Sequence, residues 1–205
     1  MDNKFLDKLT DYLVAEYGCH CIILYGSWAE ADHSEKSDVD LACFTDNKSK
    51  AHDTKIFQGR TLDAWIYDSG MLDRPEDFIH LKDGTPILDC RGQGQKFLEN
   101  INQIYLKGPE VLSKDEASFL KRWLVKMYER AAREDMEGNY RYHWLLTDCL
   151  EIYFKLHGTW YLGPKKSFAW LSVHDKQAYR LWENALAKFA AIADLKKLIN
   201  YIVNL

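Results

Sequence analysis

The sequence has no CxxC pair, no apolar run long enough to cross a membrane, and no excess of positive charge. The five cysteines, an odd number, are Cys19, Cys21, Cys43, Cys90 and Cys149. Cys19-His20-Cys21 invites a zinc reading, with both thiols on one face of an expected strand. No second ligand pair stands at finger spacing, so that reading is set aside. The thiols are expected to be free and mostly buried, in a reducing compartment. No apolar stretch approaches the roughly 20 residues of a membrane span. Met1-Asp2-Asn3-Lys4 leads into an amphipathic segment, not the apolar region of a signal peptide. A cytoplasmic protein with no membrane partner is expected. The net charge of −4 gives no global attraction to a polyanion, so nucleic acid is not an expected partner either. There is no internal repeat and no low-complexity tract.

What is present is an ordinary globular composition, 47% apolar and 28% charged over 205 residues. That suffices for one large domain or two small ones without a stabilising staple. Apolar spacing predicts a helix over Phe5 to Tyr17, stopped at Gly18. A buried strand follows from Cys19 to Tyr25, then Gly26-Ser27, then a polar stretch from Trp28 to Ser37 read as a short helix and loop. Asp38 to Cys43 alternates acidic and apolar residues and reads as a strand. Lys55 to Gln58 and Thr61 to Tyr67 read as a hairpin turning at Gly59-Arg60. Arg74 to Leu81 reads as helix, Pro86 to Cys90 as strand, and Gln93 to Leu106 as helix.

Gly108-Pro109 is the expected boundary. Beyond it only helices are expected, at about Lys114 to Met136, Tyr140 to His157, Lys165 to Leu171, and Lys176 to Leu205 with a break. Ser113 and Glu116 make a capping box for the first. The fold class is α+β: a mixed sheet flanked by helices over 1–107, then an all-helical domain over 108–205.

Three carboxylates bear chemistry. Asp38 and Asp40, two apart on a strand, point to one face. Asp63 lies on a later strand, on the face of Trp65 and Tyr67. If those strands are neighbours, the three acids converge and repel one another unless cations intervene. Hard oxygen donors of this kind suit magnesium. Two ions about 3.5–4 Å apart hold a nucleoside triphosphate and activate an attacking oxygen. Gly26, directly after a strand, has backbone angles closed to other residues and lets a phosphate approach. The amides of Ser27 and Trp28 and the Ser27 hydroxyl are then donors to phosphate oxygens. Taken singly, Asp-x-Asp is more often a solvated strand face. The order of the set is what points to chemistry: turn, ten intervening residues, acid pair, third acid.

The segments Leu24-Tyr25-Gly26-Ser27-Trp28-Ala29-Glu30 and Ser37-Asp38-Val39-Asp40-Leu41 resemble the signature of the DNA polymerase β-like nucleotidyltransferase superfamily. The resemblance is specific over about Ile22 to Tyr67. The branch it resembles holds small bacterial enzymes similar to kanamycin and lincosamide nucleotidyltransferases. It implies Asp38 and Asp40 as ligands of both metal ions. It implies Asp63 as a ligand of the catalytic ion and a group that helps deprotonate the acceptor. Gly26 and Ser27 become triphosphate contacts. One departure stands out: many relatives carry Arg-Gly after the alanine of this turn, where Glu30-Ala31 follow here. A lysine elsewhere must then supply charge.

Lys165 and Lys166, in a loop before a helix bearing Trp170, resemble the nucleotide-facing lysine and tryptophan of the antibiotic enzymes. The plain alternative is a solvated helix start and a core tryptophan. Glu151, with Asp148 as its i, i+3 neighbour, resembles the helical-domain acid that serves several relatives as general base. The plain alternative is a surface acid. His143 shares no face with Asp148. Arg130, Arg133 and Arg141 are either a solvated face or a site for an anionic acceptor.

The expected reaction moves a nucleoside monophosphate, AMP from ATP in the first instance, onto a hydroxyl of a small molecule such as an antibiotic. Its cofactor is Mg2+, as two ions, and pyrophosphate leaves. A protein acceptor, as in antitoxin-like minimal nucleotidyltransferases, is the alternative, although those are usually single-domain. A catalytically dead binding module is the third possibility.

Overall fold

A computed structural model describes residues 3–29, 37–47, 51–133 and 135–205. The chain divides into two compact units, Met1–Lys107 and Gly108–Leu205. The first unit contains α1 (Asn3–Tyr17), β1 (Cys19–Tyr25), α2 (Gly26–Ala29), β2 (Val39–Thr45), β3 (Ala51–Asp53), β4 (Ile56–Phe57) and β5 (Arg60–Asp68). Two 3₁₀ helices (Ser69–Asp73, Pro75–Leu81), β6 (Thr85–Asp89) and α3 (Gln93–Lys107) complete it. The six strands form a mixed sheet in the order β3-β5-β2-β1-β6, with β4 paired to β5. Among the described strands only β2 and β5 run parallel.

Helix α1 puts Phe5, Leu9 and Leu13 on one stripe, and all three are buried. They pack with Ile22 and Leu24 of β1, Val39, Leu41 and Cys43 of β2, and Leu62, Ala64 and Ile66 of β5. These strand residues alternate along their chains, as a face covered by one helix requires. The other face carries Phe44 and Tyr67, whose rings meet Phe78 of the second 3₁₀ helix. Phe97 of α3 packs on Phe44 and Phe78. This aromatic cluster covers the part of that face away from the start of β2.

Asp53 anchors the short edge strand β3. Its Oδ2 accepts from the hydroxyls of Tyr12 at 2.7 Å and Tyr17 at 2.9 Å, and its Oδ1 from the Lys55 amide at 3.0 Å. The acid is almost wholly buried, and satisfied acceptors of this kind hold their strand in place.

Several local readings change. β3 was not foreseen; it is three residues long and carries two polar side chains. The hairpin turns at Gln58-Gly59, not Gly59-Arg60: φ is +49° at Gln58 and +83° at Gly59. Two successive positive φ values define the tight turn that matches strand twist. Cys19 and Cys21 do not share a face, because the β1–β2 register shifts between them. Cys19 joins the α1-side core, while a Cβ at Gly94 of α3 would meet the Cys21 sulfur.

The second unit is helical: α4 (Lys114–Ala131), α5 (Met136–His157), α6 (Gly163–His174), α7 (Lys176–Ala185) and α8 (Ile192–Val203). The Ser113/Glu116 capping box forms. The first helix ends at Ala131, because Asp135 caps the next one through the Gly138 amide at 2.7 Å. Leu124, Leu145, Cys149, Tyr153, Leu171, Trp182, Leu195, Leu198 and Ile202 form the core. Asp175 joins three helices here: Oδ2 accepts from Tyr153 at 2.7 Å and Tyr201 at 2.8 Å, and Oδ1 from the Ala178 amide. No helix among the described residues is long and apolar enough to cross a membrane.

Candidate active site

The site forms where β1 ends and β2 begins. Tyr25, the last residue of β1, is the register partner of Asp40 on β2, and Asp40 is the register partner of Asp63 on β5. Neighbouring strands in register direct paired side chains to the same face. Asp40 and Asp63 therefore share the face that carries Tyr25 and Trp65. Asp38 comes just before β2 instead of within it, and is exposed.

Gly26 opens α2 with φ +66°, and a Cβ built on it would collide with the Asp40 carboxylate. Glycine is needed twice over, for the backbone angle and for the approach to Asp40. With only four residues, α2 offers the free amides of one turn and little macrodipole. The buried Trp28 ring fixes that turn. It stacks on Phe5, lies under the Arg60 guanidinium at 4.5 Å, and donates from Nε1 to the Ser37 carbonyl at 3.3 Å. Glu30-Ala31, where the departure from the Arg-Gly pattern falls, lie outside the described residues, as does most of the polar stretch up to Ser37.

Negative charge dominates the electrostatics. Burial first, then the neighbouring charges of Asp63 and Asp38, push the Asp40 carboxyl up to about 6. Burial, with Asp63 and Asp40 close by, pushes the Tyr25 phenol well above its ordinary range. Burial and Asp63 do the same to Tyr67. Among the described residues no cationic side chain pairs with Asp38 or Asp40.

Among the described residues no three His, Cys, Asp or Glu side chains are gathered into a ready metal cage. Asp63 Oδ1 accepts a 2.6 Å hydrogen bond from His52 Nε2. The donor set nevertheless suits a hard divalent cation. It consists of carboxylate oxygens, and a cation would relieve the cost that burial and like charge place on ionised Asp40. His52 carried no sequence signal, because β3 is too short for its alternation to be read.

The remaining candidates belong to the second unit. Lys165 and Lys166 lie in the first turn of α6. Trp170 is half-buried, stacked on His174 and edge-on to Phe154 and His157, and packs against the helical core. Glu151 is exposed and paired with Lys155 at 2.6 Å one turn on. Burial and Glu151 raise the Asp148 carboxyl above its usual range. Arg141 is engaged by Glu137. Tyr142 and His143 line a cavity of about 570 Å³ with Lys188 and Ile192.

Residues 7–116, more than half the chain, match the family described as "Polymerase beta, Nucleotidyltransferase", and the chain belongs to that family of nucleotidyltransferases. Among solved structures it is similar to the crystal structure of a nucleotidyltransferase-like protein from Exiguobacterium sibiricum 255-15. That similarity has 14% sequence identity and a TM-score of 0.48, over 98% of this chain and 74% of the other. No curated protein matches the chain.

Proposed function

We propose that this nucleotidyltransferase moves a nucleoside monophosphate, AMP from ATP in the first instance, onto a hydroxyl of a small molecule, releasing pyrophosphate. An antibiotic of the kanamycin or lincosamide kind is the first acceptor to try. The observation that carries the reading is Asp40: half-buried, beside Asp63 and Asp38, and under the α-carbon of Gly26.

Asp38 and Asp40 would hold two magnesium ions, with Asp63 as a further ligand of one. Bound there, the ions supply charge neutralisation for the triphosphate and the leaving pyrophosphate. Gly26 leaves room for phosphate oxygens against the backbone, and the Ser27 amide and hydroxyl donate to them. Asp63 accepts the proton of the acceptor hydroxyl or orients that hydroxyl for attack. Lys165 and Lys166 add the positive charge absent from the turn after Ala29, and Glu151 is the helical unit's carboxylate offered as general base. In this reading the first unit is the catalytic domain and the second binds the acceptor.

The test is incubation of the protein with magnesium and each labelled nucleoside triphosphate in turn, with hydroxylated acceptors. Pyrophosphate release and a labelled small product are expected. Label on a protein band would favour a protein acceptor instead. Absence of any magnesium-dependent nucleotide binding would end both readings.

A further inference from the structure

His52 stands beside the site without belonging to the acid set. Strand β3 explains how it gets there. Side chains alternate across a strand, so Asp53 turns to the α1 side, where two tyrosine hydroxyls and the Lys55 amide hold it. His52 turns to the opposite face, the one shared by Asp40 and Asp63. Its register partner is Trp65, and Asp63 lies two residues before Trp65 on the same strand. That diagonal is within reach of a ring side chain.

Two contacts then fix the imidazole. Its ring lies 3.9 Å from the Trp65 ring at an interplanar angle of 12°, which sets its plane. Its Nε2–H donates to Asp63 Oδ1 at 2.6 Å, which sets its direction within that plane. A donor held in this way leaves the carboxylate little freedom to rotate, and leaves Oδ2 as its uncommitted oxygen. The anchored Asp53 ties the strand beneath to α1 through Tyr12 and Tyr17, so α1, β3, His52 and Asp63 form one connected series of contacts. Such outer partners of a ligand carboxylate tune both its geometry and its affinity.

We infer that His52, seated on Trp65, is a positioning residue that presents the Asp63 carboxylate to the divalent cation and the acceptor hydroxyl. The inference rests on the proposed nucleotidyl transfer at Asp38, Asp40 and Asp63.

Two variants test it. His52→Phe keeps a ring on Trp65 and removes the donor. His52→Gln keeps an amide donor near the Nε2 position. Manganese binding to the nucleotide-free protein, read by electron paramagnetic resonance, is measured beside steady-state kinetics. H52F is expected to lose about 10- to 100-fold in manganese affinity and in kcat, with KM for the nucleotide unchanged. H52Q is expected to recover most of both. Wild-type manganese affinity and kcat in H52F would overturn the inference, as would equal losses in H52F and H52Q. Melting temperatures check that each variant folds, and His52→Met replaces H52F if the latter does not. Asp38→Asn separates the two levels of the argument. If it leaves manganese binding intact, the metal-site reading itself fails. If it abolishes binding while H52F behaves as wild type, only the role of His52 fails.

Discussion

Asp40 and Asp63 stand side by side because β2 and β5 run parallel with these two residues in register. Parallel neighbours are about 4.8 Å apart, so two carboxylates on the same face are forced into mutual repulsion. Burial of Asp40 under Gly26 sharpens this conflict. A protein keeps such an arrangement at a cost in stability, and acid clusters of this kind mark sites of chemistry.

Asp38→Asn and Asp40→Asn should each lower magnesium-dependent turnover by about 10²- to 10³-fold or more, in line with the loss of one preorganised electrostatic group. Circular dichroism and the melting temperature should show a folded protein in both cases. Turnover that survives either change would remove that residue from the metal-binding set.

The pH dependence of stability has a definite sign. Folding raises the Asp40 carboxyl from about 3.9 in an unfolded chain to about 6. The folded state then binds the proton more tightly, so stability falls as pH rises through that window and levels off above it. Asp40→Asn abolishes this contribution. In chelator, urea unfolding at pH 7.5 should favour the Asn variant, relative to wild type, more than at pH 4. Added magnesium should restore wild-type stability. A difference between the two proteins that does not change with pH would contradict the assignment.

Gly26→Ala places a side chain at φ +66°, a strain of about 1–2 kcal/mol, and against the Asp40 carboxylate. Both a lower melting temperature and a sharp fall in kcat are expected. The same substitution at Gly59, where a Cβ meets nothing within 4 Å, should cost stability through backbone strain alone and leave kcat intact. Comparing the two variants separates the backbone cost from the cost of crowding Asp40.

The helical unit gives a third kind of measurement. Lys165→Ala and Lys166→Ala should raise KM for the nucleotide about tenfold if a screened lysine–phosphate contact of about 1.4 kcal/mol is lost. Glu151→Gln should lower kcat by about 10²-fold if Glu151 is the general base. Lys155→Met, which removes its surface partner, should change kcat little, because exposed ion pairs contribute about 1 kcal/mol at most. An unchanged kcat in Glu151→Gln would move attention to Asp148, on the same helix.

Much of the first unit was legible because its signals are local. Buried strands β1 and β2 show in their apolar runs, α1 in its spacing, and Gly26, Asp38, Asp40 and Asp63 in their order along the chain. The misreadings were also local in origin. A register shift inside β1 parted Cys19 from Cys21, and Gln58 took a positive φ that composition alone does not announce. Asp135 ended a helical pattern that periodicity would have carried to Met136.

The sequence by itself determined the mixed α+β fold class, because alternation, spacing and φ preferences act within a few residues; it also set Gly26, Asp38, Asp40 and Asp63 in the order from which the proposed site is read. The tertiary structure alone decided that β5 lies next to β2 with Asp63 level with Asp40. It also decided that His52 reaches Asp63 from an edge strand. Strand order and register are settled by which faces bury together across distant parts of the chain. A residue such as His52 gains its partner only once that assembly has formed.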